Sequence, residues 1–268
     1  MMFVFLHLLL NSYGTSMYVN ASPIDGPDLE PARYDKPPFV VFIMVKRRKD
    51  DKLSRHECTG ALVSKNHVLT AAHCLNDMGR GEILQVVAGA PSLRLCEPPC
   101  EVESWITYSK WAREKCQASD PLMDDVAILK LAKKVDCKMK LPSLSKKKFE
   151  QLAGLDARVT GWHSHFTMTS SMYLVFGTVK IYNKKLCQSK LTGIPGLDCN
   201  FCDIYLCVKG EPSHVLIEKV EDGGPLILGK DEIVGIFNGK QAPELPGTDQ
   251  ISFFISMHHF RSFIKDQI

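Results

Sequence analysis

The 268-residue sequence has no low-complexity stretch, no internal repeat and no apolar run near the ~20 residues that a membrane-crossing helix requires. Without repeats or spans, a chain of this length buries one large core or two half-size ones. An excess of either charge sign is missing too: 33 basic residues face 30 acidic ones, a formal net charge of +3, and neither half of the chain is strongly polarised. That balance argues against a dedicated nucleic-acid binder and leaves room for local basic patches. Helical periodicity is scarce. Only the run from Ser256 to Ile268, with Met257, Phe260, Phe263 and Ile264, has spacing that suits an amphipathic helix.

What is present begins with a short apolar run, Phe3–Leu10, followed by small and polar residues up to Val19-Asn20-Ala21. This reads as a secretory signal over residues 1–21, although the usual basic n-region is missing. The mature chain, 22–268, is then expected outside the cell with no membrane attachment. Ten cysteines fit that oxidising compartment and permit five bridges, whose pairing sequence alone leaves open. The sole glycosylation sequon, Asn20-Ala21-Ser22, would be split by cleavage after Ala21.

Beyond a Pro-, Asp- and Glu-rich lead-in, apolar β-branched runs recur at short spacing: Phe39–Val45, Cys58–Val63, Val68–Ala71, Ile83–Ala88 and Val126–Leu131. They continue at Ala157–Gly161, Tyr173–Ile181, Val215–Ile217, Leu226–Leu228, Ile233–Phe237 and Ile251–Ile255. Many short strands between turn residues predict an all-β sandwich or barrel. The basic segment Ser143–Gly154 reads as a linker between halves at about 22–142 and 155–268.

Local motifs go further. Cys58-Thr59-Gly60-Ala61-Leu62-Val63-Ser64 and Val68-Leu69-Thr70-Ala71-Ala72-His73-Cys74 resemble the histidine region of chymotrypsin-like, trypsin-family serine proteases. Asp124-Asp125-Val126-Ala127-Ile128-Leu129 is similar to their aspartate strand, and Val159-Thr160-Gly161-Trp162 to the segment opening their second barrel. Leu206-Cys207 resembles the strand before their pocket, and Ile233-Val234-Gly235-Ile236 and the closing helix follow in the same order. Glu221-Asp222-Gly223-Gly224-Pro225-Leu226 resembles their nucleophile loop, Gly-Asp-Ser-Gly-Gly-Pro-Leu. The resemblance covers nearly all of the mature chain. It implies two six-stranded antiparallel barrels with a cleft between them, closed by a C-terminal helix. It also implies His73 as the base, Asp125 as its orienting acid, and bridges Cys58–Cys74 and Cys187–Cys207.

The departures are concentrated where the chemistry would be. Asp222 stands in the serine's place, and an ionised carboxylate has no proton for His73 to remove. In a serine protease of another fold, removing the serine costs about 10⁶ in kcat. Val220 replaces the glycine that opens the oxyanion loop of Val220, Glu221 and Asp222, and a β-branched residue resists the backbone angles that glycine permits. The pocket positions read Leu216, Asn238, Gly239 and Lys240, so no acidic base awaits an Arg or Lys substrate. Two family bridges have lost both ends, one at Ala157 and Leu228. Ile24, the best match to the activated N-terminus, follows Pro23 instead of a basic residue.

The resemblance therefore implies a secreted, catalytically inactive protease homologue. It would act as a binding or regulatory module, with an active protease or cascade component as partner, and without cofactor or metal. Three alternatives stay open: a weakly active endopeptidase-like hydrolase, a polyanion-binding or antimicrobial protein using Lys46, Arg47, Arg48 and Lys49, and a structural or storage component with neither property. Lys146-Lys147-Lys148 reads as a solvated run. Cys96, Cys100, Cys116, Cys137, Cys199 and Cys202 are left for further bridges. The histidine pairs His163/His165 and His258/His259 read as solvent-facing or helix-end residues. Finally, His73 between Asp125 and Asp222 is expected to be protonated at neutral pH.

Overall fold

The computed structural model describes residues 30–31, 39–46, 54–76, 78–79, 81–88, 99–119, 124–135, 140–164, 172–191, 204–210, 222–241 and 251–268. The signal segment, Ile24, Arg47–Lys49, Leu216, Val220, Glu221, His165, Cys96, Cys137, Cys199 and Cys202 lie outside them.

The first barrel consists of β2 (Val40–Lys46), β3 (Ser54–Ser64), β4 (His67–Thr70), β5 (Ile83–Val87), β6 (Cys100–Thr107) and β7 (Ala127–Leu131). It closes in the order β2-β3-β4-β7-β6-β5, every pairing antiparallel. In β7, Ala127, Ile128, Leu129 and Leu131 are buried and only Lys130 faces solvent. The core is filled by Ile43, Leu62, Leu69, Ile128 and Leu129, all almost fully buried.

The second barrel uses β9 (Asp156–Ser164), β10 (Met172–Ile181), β11 (Tyr205–Gly210), β12 (Pro225–Leu228), β13 (Glu232–Gln241) and β14 (Ser252–Ser256). The order β9-β10-β11-β14-β13-β12 returns to β9 where Ile227 pairs with Arg158, again antiparallel throughout. That register sets Ala157 beside Leu228, an apolar pair at the positions where the resemblance implies a lost bridge. Short strands flank the ring: β1 (Glu30–Pro31) lies along β10, and β8 (Ser143–Leu144) runs parallel to β13.

Four α-helices occur among the described residues: α1 (Tyr108–Glu114), α2 (Phe149–Leu152), α3 (Lys184–Leu191) and α4 (Arg261–Gln267). The C-terminal helix is shorter than its spacing suggests. Ser256 ends β14, and Met257 donates to the Val234 carbonyl at 3.0 Å instead of beginning a turn of helix. The linker is also more ordered than its polarity suggests, because it carries β8 and α2. Helix α1 starts at an N-cap, the Thr107 hydroxyl accepting the Lys110 N–H at 3.3 Å. Its apolar side, Tyr108 and Trp111, meets Phe260 and Phe263 at the start of α4, with Tyr108 edge-on to Phe260 at 4.8 Å. Trp111 Nε1–H donates to Asp266 at 3.1 Å, which clasps the first barrel's helix to the second barrel's.

Candidate active site

The site lies where the two barrels meet. From the first barrel, β4 runs into a 3₁₀ turn, Ala72–Leu75, that presents His73. The Cys58–Cys74 disulfide ties this turn to β3. Asp125 precedes β7, and β4 pairs with β7 through Thr70–Ala127, which brings the two residues together. Both Asp125 oxygens are engaged. Oδ1 accepts the His73 backbone N–H at 2.7 Å, and Oδ2 lies 2.7 Å from His73 Nδ1.

The second barrel supplies Asp222. Its carbonyl accepts the Thr59 N–H at 2.8 Å, anchoring the loop on β3. Gly223 donates to the Phe237 carbonyl at 2.8 Å, and Phe237 donates to the Gly224 carbonyl at 2.9 Å, closing the turn onto β13. This fixed backbone sends the Asp222 carboxylate toward His73, with Oδ2 3.1 Å from Nε2. The carboxylate also rests on Gly239, where a Cβ would stand 2.9 Å from Oδ1. Thus the structure brings together His73, Asp125, Asp222 and Gly239.

Both imidazole nitrogens face carboxylate oxygens, and only an imidazolium donates from both at once. Burial by itself would lower the His73 pKa. Hydrogen bonds to Asp125 and Asp222, aided by their charges, outweigh it and raise the pKa to about 10. At neutral pH His73 is a cation held between two acceptors. As such it cannot serve as a general base.

A histidine pKa raised on folding contributes stability that is fully present below 6.5, the unfolded value, and is lost as pH rises toward 10. Because a third of the side chain is exposed, solvent screening reduces the full conversion to about 2 kcal/mol. Thermal melting of wild type against His73→Gln should therefore show a gap of roughly 4–8 °C at pH 6 that shrinks by pH 10. An NMR titration finding His73 neutral at pH 7 would overturn this assignment.

Asn238 is buried and does not line an open wall; its Nδ2 donates to the Tyr205 hydroxyl at 2.9 Å. Tyr205, fully buried on β11, is a positioning residue that sequence reasoning missed, although it directly precedes the Leu206-Cys207 motif. The Cys187–Cys207 disulfide fastens the same strand to α3. Cys100 and Cys116 are free thiols. Cys58, His73 and Cys74 offer ligand atoms within 4.8 Å of one another, but the two sulfurs are bonded together and provide no thiolate for a metal. His258 is exposed, with Nδ1 2.9 Å from the Lys146 carbonyl. Lys46 ends β2 half-buried, and Lys240 lies on β13.

The model of the Trypsin family matches residues 28–264. Trypsin alpha of Drosophila melanogaster is 24% identical over 176 residues, covering 65% of this chain and 64% of that protein. This chain thus spans just under two thirds of that relative's length. Among solved structures, neuropsin, a serine protease expressed in the limbic system of mouse brain, superposes with a TM-score of 0.65 at 19% identity, covering 89% and 98% of the two chains. A scabies mite inactivated protease paralogue superposes with a TM-score of 0.62 at 22% identity, covering 88% and 96%. Among the described residues, no helix is long and apolar enough to cross a membrane.

Proposed function

The chain belongs to the trypsin family, and from that premise we propose that it is a secreted pseudoprotease, a binding or regulatory module that hydrolyses no peptide bonds. One observation carries this reading: the Asp222 carboxylate occupies the nucleophile's place, 3.1 Å from His73 Nε2. Three defects follow from that contact. No hydroxyl is present to attack a carbonyl. The base is already protonated. A fixed negative charge faces the point where an oxyanion would develop, which opposes the stabilisation that acyl transfer needs. Attack by the carboxylate itself would yield a reactive anhydride rather than a stable acyl-enzyme.

The barrels, the disulfides and the inter-barrel clasp do not depend on that chemistry, so the cleft and loops remain available for recognition. The fold is shared with a protein described as an inactivated protease paralogue, which supports keeping the scaffold without the reaction. We assign the chain a protein partner, such as an active protease or a cascade component, and an extracellular location. The secretory reading rests on residues 1–21 and on the bridges.

The test is peptidase turnover of the purified mature chain on a broad peptide library, with His73→Ala as control. The expected result is no cleavage above the control. Cleavage that disappears in His73→Ala would mean that Asp222 takes part in hydrolysis, and the pseudoprotease reading would fail.

A further inference from the structure

The inter-barrel linker and helix α4 form a second surface, independent of the His73 site. Burial alternates along residues 145–148. Ser145 is buried and Lys147 turns inward, its Nζ 2.6 and 2.7 Å from the two oxygens of Glu232. Lys146 and Lys148 therefore both point outward and are exposed. Two contacts dock this strip on the start of α4. His258 Nδ1 lies 2.9 Å from the Lys146 carbonyl, and Arg261 Nη1–H donates to the Leu144 carbonyl at 3.1 Å. Both partners are neutral carbonyls, so the charge of Arg261 is not cancelled there. Lys265 follows Arg261 by one helical turn and shares its side of the helix.

The nearby acids are mostly spent on other cations. Glu232 is paired with Lys147 and Asp231 with Lys140. Asp266 receives Trp111 Nε1–H and lies 3.5 Å from Lys115. Glu150 at the start of α2 is the remaining exposed carboxylate beside Lys148. A positive strip is left, built from Lys146, Lys148, Arg261 and Lys265, and its backbone is held in place by hydrogen bonds.

We propose that this strip binds a sulfated polysaccharide chain. Cations carried on an ordered backbone suit a polymer of repeating sulfates, because the main chain is already in place, each exposed side chain can adjust to a sulfate, and counterion release supplies the driving force. Single-stranded nucleic acid would need exposed rings for base stacking, and a membrane surface would need apolar anchors. Among the described residues the exposed large apolar side chains are Trp105 on β6 and the single residues Leu155 and Ile268 at the ends of the linker and α4, and no Trp, Tyr or Phe ring is exposed on the linker or α4, where the exposed rings are the imidazoles of His258 and His259.

The experiment uses the mature full-length chain, a heparin column and titration with a heparin oligosaccharide over a NaCl series. The wild type should be retained with a steep salt dependence. Lys146→Glu with Lys148→Glu should weaken affinity at least about tenfold and flatten the log-affinity against log-salt slope by about two contacts. Both side chains are exposed and take no part in the described ion pairs, so the melting curve should move little. The charge-matched pair Lys133→Glu with Lys134→Glu, exposed on the first barrel, should behave as wild type. Equal losses from both pairs would reduce the effect to net charge and overturn the proposal. So would retention abolished only by reversing Lys46, Arg47, Arg48 and Lys49. Binding to phosphatidylserine vesicles without heparin retention would overturn it in favour of a lipid surface.

Discussion

Replacing Asp222 with serine should drop the His73 pKa from about 10 yet restore only trace peptidase turnover. Adding Val220→Gly should then raise that turnover by at least about a hundredfold. The first part follows from geometry: the substitution removes the acceptor 3.1 Å from Nε2 and leaves the Asp125 pair intact. His73 becomes able to accept a proton near neutral pH, which general-base catalysis requires. A serine hydroxyl is one bond shorter than the carboxylate. The backbone at this position is pinned by the Thr59 N–H to Asp222 carbonyl bond, so the hydroxyl stands back from Nε2. The second part follows from the loop: losing one oxyanion donor costs about 10²–10³ in kcat, and Val220 stands where the family's glycine would allow the required backbone turn. Matched kinetics and NMR titration on wild type, Asp222→Ser and the double variant check both parts. Full activity from Asp222→Ser alone would mean that Val220 leaves the loop intact. Silence from both variants would place a further lesion at Leu216 or at Asn238-Gly239-Lys240.

Much of this site was legible because its signals are local and contiguous. His73 sits inside an unbroken run, Val68–Cys74, and its strand, turn and disulfide are encoded within twenty residues. Asp125 and Asp222 lie in equally compact motifs. Their meeting across the barrels is a tertiary fact that only the family resemblance supplied. The alternating apolar runs gave most strands. They missed two barrel strands: β6, whose residues are largely exposed and leave no apolar run to find, and β11, whose short run Tyr205–Val208 is marked only by the Leu206-Cys207 motif. Helix α1 escaped for a different reason. Tyr108, Trp111 and Ala112 do carry helical spacing, but the helix spans only seven residues, shorter than a window that separates periodicity from chance. Tyr205 was hidden because its role is a hydroxyl reaching Asn238 on another strand, a contact with no sequence signature.

The second large effect concerns Gly223, and a paired substitution separates two reasons for a glycine. Gly223 and Gly229 both have positive φ, +79° and +63°. Alanine at either position incurs the left-handed backbone strain, about 1 kcal/mol. At Gly229 nothing lies within 4 Å of the added methyl, so Gly229→Ala should lower the melting temperature by only about 2–4 °C. At Gly223 the methyl would collide with the Thr59 carbonyl oxygen and the Thr70 hydroxyl, which themselves share a 2.8 Å hydrogen bond. Neither neighbour can yield easily. Thr59 is in β3, buried and bonded to Asp222, and Thr70 is buried at the end of β4. Gly223→Ala should therefore cost more than about 4 kcal/mol, a melting shift above roughly 8 °C or outright loss of the folded state. Escape would require the loop to lift away from β3. Asp222 would then leave His73, and the His73 pKa would fall in the surviving folded molecules. A melting shift no larger than that of Gly229→Ala, with the His73 pKa unchanged, would show that the barrels do not meet at Gly223 as closely as this arrangement demands.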